Sequence, residues 1–187
     1  TQQVVTQVAD TVKVSADVEL VELLLTGKQS VTVDTGVTLS STAPVNTKSN
    51  DITLAGNGAA VVVSNNINTS VKRDLHDADR ATDAAKLVVK SGVALKGTAV
   101  QLDSSANMAL ADTLTVQAKA LGLGAKHVAV GGSVKDEQAV VASAALLNNK
   151  ERIALRAYDA LDLVGNTKLN QAGLKEVVLD APIIRGV

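Results

Sequence analysis

Cysteine, tryptophan and phenylalanine are absent from this 187-residue chain, which holds one tyrosine, one methionine and two prolines. Without cysteine there is no disulfide framework, no thiol nucleophile, no iron–sulfur cluster and no zinc site of the cysteine type. Without aromatic faces there is no stacking platform for bases or sugars. An excess of either charge is missing too. The 18 Lys and Arg face 19 Asp and Glu, a formal net charge of −1. A chain so balanced, with no basic block, has no electrostatic footprint for nucleic acid or an anionic membrane surface. Long hydrophobic runs are also lacking. The stretches 18–25 and 139–147 are broken by Glu or Ser and fall far short of the roughly 20 residues that span a bilayer.

What is present is aliphatic. Hydrophobic residues make up 46% and charged residues 20%, so the chain reads as globular and long enough to bury a core. Val, Leu, Ala and Ile must fill that core alone. Small branched side chains pack best in thin layers, such as stacked strands or strand–helix repeats. The opening TQQVVTQVAD has no basic segment leading into an apolar run, as expected of a mature chain, a fragment or a cytosolic product. The economy in aromatic and sulfur residues suits a protein made in bulk, and zero cysteine suits an extracellular bacterial one.

The spacing of apolar residues predicts a strand at Val12–Val14 and a helix over Ala16–Leu25, where Val18, Val21, Leu24 and Leu25 recur at helical intervals. Ser30–Ser40 alternates as a strand or hairpin bent near Asp34–Gly36. Ile52–Leu54 and Ala59–Val63 read as strands joined across Ala55-Gly56-Asn57-Gly58. Further on, helices are predicted at Asp77–Val89, Asn107–Leu121, Val134–Leu147 and Ala157–Val164. Strands are predicted at Ala99–Leu102, His127–Val130, Arg152–Leu155 and Glu176–Leu179. Ser133 and Asp136 are placed to form a capping box for the third of these helices. The expected fold class is therefore α/β: a strand-rich part over 1–63, then alternating strand–helix units over 64–187, forming a mainly parallel sheet or an open solenoid.

Three motifs in the second part are Ala78-Asp79-Arg80-Ala81-Thr82-Asp83-Ala84, Ser104-Ser105-Ala106-Asn107-Met108-Ala109-Leu110-Ala111-Asp112 and Ala125-Lys126-His127-Val128-Ala129-Val130-Gly131-Gly132. In these, residues 77–160 resemble the second type of cell-wall-binding repeat of clostridial surface proteins. The recurrence of Val-x-Val followed by a Ser, Asn, Asp or Gly turn, as in Val61-Val62-Val63-Ser64-Asn65 and Val128-Ala129-Val130-Gly131-Gly132-Ser133, resembles the strand–helix repeats of RTX-type adhesins and surface-layer proteins. Both resemblances imply a bacterial cell-surface protein, with a cell-wall polymer as a further partner.

Candidate sites are few. Asp74, His76, Asp77, Asp79, Arg80 and Asp83 form the densest charged cluster. Such oxygen ligands suit calcium, but the loop spacing with its Gly and distal Glu is missing. The same acids also suit the solvated first turns of a helix. No other cofactor is expected. His76 and His127 are the only imidazoles; a nucleophile–base pair would need one of them beside a Ser and an acid, but His127 opens a strand, Ser133 reads as a helix cap and no G-x-S-x-G elbow exists. Gly122-Leu123-Gly124 and Gly131-Gly132-Ser133 read as strand-to-helix turns; phosphate loops, which need a fuller fingerprint, are the alternative. Asn68-Thr69-Ser70 is a glycosylation sequon. No catalytic, cofactor or metal residue is assigned. The expectation is a non-enzymatic structural protein of the bacterial surface that self-assembles through its strand-rich segment. A virion structural protein, such as a phage capsid decoration or tail component, is the alternative.

Overall fold

The computed structural model describes residues 2–80 and 85–187. In chain order the strands begin with β1 (Gln2–Val5), β2 (Thr11–Val14), β3 (Val18–Glu19), β4 (Glu22–Gly27), β5 (Ser30–Val33) and β6 (Thr38–Ser40). Then come β7 (Asn50–Ala55), β8 (Ala59–Ser64), β9 (Thr69–Asp74) and the short helix α1 (Asp77–Arg80). The chain continues through β10 (Lys86–Val89), β11 (Ala94–Lys96), β12 (Ala99–Ser104), β13 (Asn107–Leu110), β14 (Thr115–Gln117) and β15 (Ala120–Val130). It closes with β16 (Val140–Ala142), α2 (Ala144–Leu147), β17 (Arg152–Leu163), β18 (Glu176–Asp180) and β19 (Ile183–Gly186).

These strands wind as a coil with three faces. One face stacks β2, β5, β10 and β13, and the next stacks β3, β6, β11 and β14, all parallel. The third face runs β4, β8, β12, β15, β17, β18, with β16 against β15 and β19 against β17. One turn of the coil takes 21 residues where Lys86 lies beside Asn107, Ala94 beside Thr115 and Ala99 beside Ala120. Alternate residues point inward. Val31, Val33, Leu87 and Val89 of the first face and Leu39 and Leu95 of the second are at most 1% exposed. The corner between these faces needs glycine: Gly36 and Gly92 have φ of +74° and +72°, a conformation that costs side-chain-bearing residues. The corners stack as the strands do, with the Gly36 N–H donating to Ser91 O and the Gly92 N–H to Thr113 Oγ1.

After β6 the chain leaves the coil. Strands β7 and β9 join β1 in a separate three-stranded parallel sheet. Between them β8 returns to the third face and lies antiparallel to both β4 and β12. It spans the boundary between residues 63 and 64, so the segments on either side of it share this sheet. All six residues of β8 are buried because both its faces are covered. Val61 and Val63 point into the coil, while Ala60 and Val62 join Ile52, Leu54 and Val71 in a second small core beneath the three-stranded sheet. At about 1.5–3 kcal/mol per fully buried Val, Leu or Ile, a narrow coil interior is filled without aromatic rings.

The α/β expectation is overturned: the described residues are 54% strand and 4% helix. Ala16–Leu25, Asn107–Leu121 and Ala157–Val164 are strands and corners. Of Asp77–Val89, Asp77–Arg80 is helical and Lys86–Val89 is a strand, while residues 81–84 lie outside the described residues. Of Val134–Leu147 only Ala144–Leu147 is helical, and its cap is Ser143, not Ser133. The reason is geometric. Each corner interrupts a period-two strand and resets its phase, so Val18 of β3, the exposed corner residue Val21, and Leu24 and Leu25 of β4 imitate a helical stripe. The expected hairpins are also absent: β5 and β6 lie in different faces, as do β7 and β8 in different sheets. No helix among the described residues is long and apolar enough to cross a membrane.

Candidate functional site

Two regions gather what chemistry the chain has: the ends of the coil, and the outer surface of its third face. Among the described residues, β2, β3 and β4 at the N-terminal end each pair on one side only. At the opposite end β13, β14, β18 and β19 do the same. Such edges present unpaired backbone N–H and C=O groups and are usually blunted by charge or proline. Here they are flanked by exposed aliphatics: Leu20 and Val21 (62% exposed) at the corner before β4, and Val177, Ile183 (53% exposed) and Ile184 on the last two strands.

The terminal strand β19 is held by a charged clamp. Arg185 donates to Asp162 of β17 through Nε and Nη2, at 2.6 and 2.9 Å. His127 of β15, at a bulge in the β15–β17 ladder, places Nε2 at 2.7 Å from Asp162 and Nδ1 at 2.6 Å from Asp136. Partial burial disfavours charge on His127, but the hydrogen bonds and fields of Asp136 and Asp162 outweigh it, and the imidazole pKa is raised above 6.5. Asp136 is lowered by its bond to His127 and Asp162 by its bond to Arg185. The residue expected to cap a helix thus serves as a histidine partner. An imidazole held between two carboxylates is a strut, with both ring nitrogens taken.

The second region lies where β9 packs over the third face. Outward-pointing Gln101 and Asp103 of β12 are 5% and 3% exposed. Arg73 Nε donates to Asp103 Oδ1 at 2.7 Å, and Nη1 donates to Gly56 O at 2.8 Å. The Tyr158 hydroxyl donates to Asp103 Oδ2; burial, then the Asp103 charge, pushes its pKa well above 10. Gln101 Nε2 donates to Thr69 O. Gly122 and Gly124, beside Gln101 and Asp103 in register, make room for them. A Cβ on Gly122 would lie 1.6 Å from Gln101 Oε1, and one on Gly124 would lie 2.3 Å from Asp103 Oδ2. These glycines lie within β15, not in a phosphate turn. Beside this network Arg152 and Arg156 of β17 line a cleft of about 320 Å³ with Asn68 and Ser70 of the excursion.

No family model, curated protein or solved structure matches the chain. The remaining sequence candidates are placed as follows. Asp77 and Asp79 occupy the first turn of α1, with the His76 N–H donating to Asp79 Oδ2, while Asp83 lies outside the described residues. No group of three potential metal ligands occurs among the described residues. Gly131-Gly132-Ser133 follows β15 without entering a helix. In the sequon, Asn68 Nδ2 donates to Thr47 O at 2.6 Å and Oδ1 accepts from Arg152, so the amide is occupied in the fold. Sequence reasoning missed Arg73, Asp103, Arg152, Arg156, Tyr158, Asp162 and Arg185. A signal existed in the even spacing of Arg152, Arg156 and Tyr158 and of Gln101 and Asp103, which marks polar residues on one side of strands otherwise buried.

Proposed function

We propose that this chain is a non-enzymatic structural module that assembles with further copies of itself, at a bacterial cell surface, as part of a surface layer, adhesin or extracellular filament. The observation that carries the reading is the pair of exposed edges at opposite ends of the third face. β4 is antiparallel to β8, and β8 to β12, so β4 runs parallel to β12, β15, β17 and β18. The β4 edge of one copy can therefore continue the β18 edge of another without reversing strand direction. Leu20 and Val21 beside one edge and Val177, Ile183 and Ile184 on the other supply apolar area for the contact. Such a contact is heterologous, joining different surfaces of the two copies, and it propagates as an open chain unless a rotation closes it. Placement at the cell surface rests on the cysteine-free, aromatic-poor composition.

Sedimentation velocity across a concentration series, with negative-stain microscopy, tests this reading. Wild-type chain should form oligomers whose size grows with concentration, and Ile184→Lys or Val21→Lys should each leave monomers with unchanged circular dichroism. Wild-type monomers at every concentration, or assembly unaffected by both substitutions, would overturn it.

A further inference from the structure

We propose that the cleft between β9 and β17 binds an acidic sugar chain, one whose units carry a carboxylate beside free hydroxyls. This inference does not depend on assembly. The cleft, at about 320 Å³, lies at the lower end of the range for ligand sites. Its floor is small where a ligand would rest, with Ala120 and Ala154. Arg152 and Arg156 stand on the same side of β17, with Ala154 between them in the alternation.

Arg156 gives the site its sign. It is 9% exposed, and its Nε is enclosed beside Asp180 with no hydrogen-bond acceptor among the described residues. Its partners stand far off: Ser70 Oγ lies 3.4 Å from Nη2, and a carboxylate oxygen of Asp180 lies 3.6 Å from Nε. A guanidinium carries five donors, and buried donors are normally matched. The donors that Arg156 turns to the cleft are its terminal nitrogens, with Nη2 held only by the long contact to Ser70, and an oxyanion in the cleft would complete them. Arg152 has one acceptor, Asn68 Oδ1, leaving further donors to spend on the same ligand.

The other groups narrow the class. Asp51 and Glu176 line the cleft and are exposed. They accept hydrogen bonds from hydroxyls, as does Ser49, and inorganic sulfate has no hydroxyl to give them. A neutral sugar would leave the two arginines unmatched. A ligand needs both an oxyanion and hydroxyl donors, which a uronate unit supplies. With no aromatic platform in the cleft, recognition rests on charge and hydrogen bonds.

Isothermal titration of the full chain with tetragalacturonate, its methyl ester and inorganic sulfate tests the assignment. Tetragalacturonate should bind, with the ester and sulfate at least tenfold weaker. Arg152→Gln should weaken binding at least tenfold, and Ala154→Glu, which sets a carboxylate on the floor between the two arginines, should abolish it. Should Arg152→Gln not fold, Ala154→Glu alone decides. Absence of tetragalacturonate binding, equal binding of the ester or of sulfate, or undiminished binding by folded Ala154→Glu would overturn the proposal.

Discussion

The inside of the coil and the outside of its third face are built from the same strands on opposite principles. Along β12, Val100 and Leu102 point inward to a wholly aliphatic interior, while Gln101 and Asp103 point outward into a seam of paired charges and amides. Both sides are buried. Inside, burial is held by area and close packing, so loss scales with atoms removed. In the seam, each buried polar group stands only while its partner stands. The interior therefore tolerates aliphatic exchange, whereas the seam tolerates almost none.

The sharpest way to break this contrast is Asp103→Ala. It strips the carboxylate from Arg73, whose side chain is fully buried, and from Tyr158. Removing one partner of such a pair costs about 3–5 kcal/mol, and urea denaturation should show it. Leu155→Ala, at 0% exposure in the interior, should cost about 2–5 kcal/mol by cavity formation. Leu155→Met should cost less than about 1.5 kcal/mol, and a larger loss would show that the interior is as exacting as the seam. Gly122→Ala should cost about 1–3 kcal/mol by overpacking, since the added Cβ meets Gln101. Gln101→Ala in the same chain should recover part of that loss.

The smallest effect is a dependence on pH at the clamp. The folded pKa of His127 lies above 6.5, so its contribution is complete below about that pH and is lost as pH rises through the raised value. Below that, protonation of Asp136 and Asp162, whose folded values are lowered, removes the clamp from the acid side. Lys126 and Arg185 are the neighbouring cations. Thermal melts between pH 5.5 and 8.5 should show stability falling on the alkaline side in wild type and a flatter profile in His127→Gln. Identical profiles would mean that the clamp contributes nothing.

Most strands were legible in the residues. Val12–Val14, Ile52–Leu54, Ala59–Val63, Ala99–Leu102, His127–Val130, Arg152–Leu155 and Glu176–Leu179 are all extended, because alternation and β-branching are local properties. The helices were misread because a three-sided coil breaks its alternation at every corner. Met108 and Leu110 of β13, Leu114, Val116 of β14 and Leu121 of β15 point to one interior from three directions, yet along the sequence they pass for one stripe. The 21-residue turn was hidden by the excursion, which separates Thr38 from its stacked neighbour Ala94. The seam and the clamp were less legible still. Arg73 and Asp103 meet from strands 30 residues apart, and nothing in either local sequence names the other.

The reversed strand β8 bears on how the molecule folds. A coil of parallel strands can grow turn by turn from any start, each new turn resting on the last. Here β12 rests on β15 on one side and on β8 on the other, and β8 in turn lies against β4. Residues 22–27, 59–64 and 99–104 must therefore come together to join the first strand of the third face to the later ones, a closure across long stretches of chain rather than a local step. Refolding should accordingly show one slow event that Val62→Ala retards and Val178→Ala, in the late strand β18, leaves untouched. The excursion is thus the joint that ties the later strands of the third face to its first one.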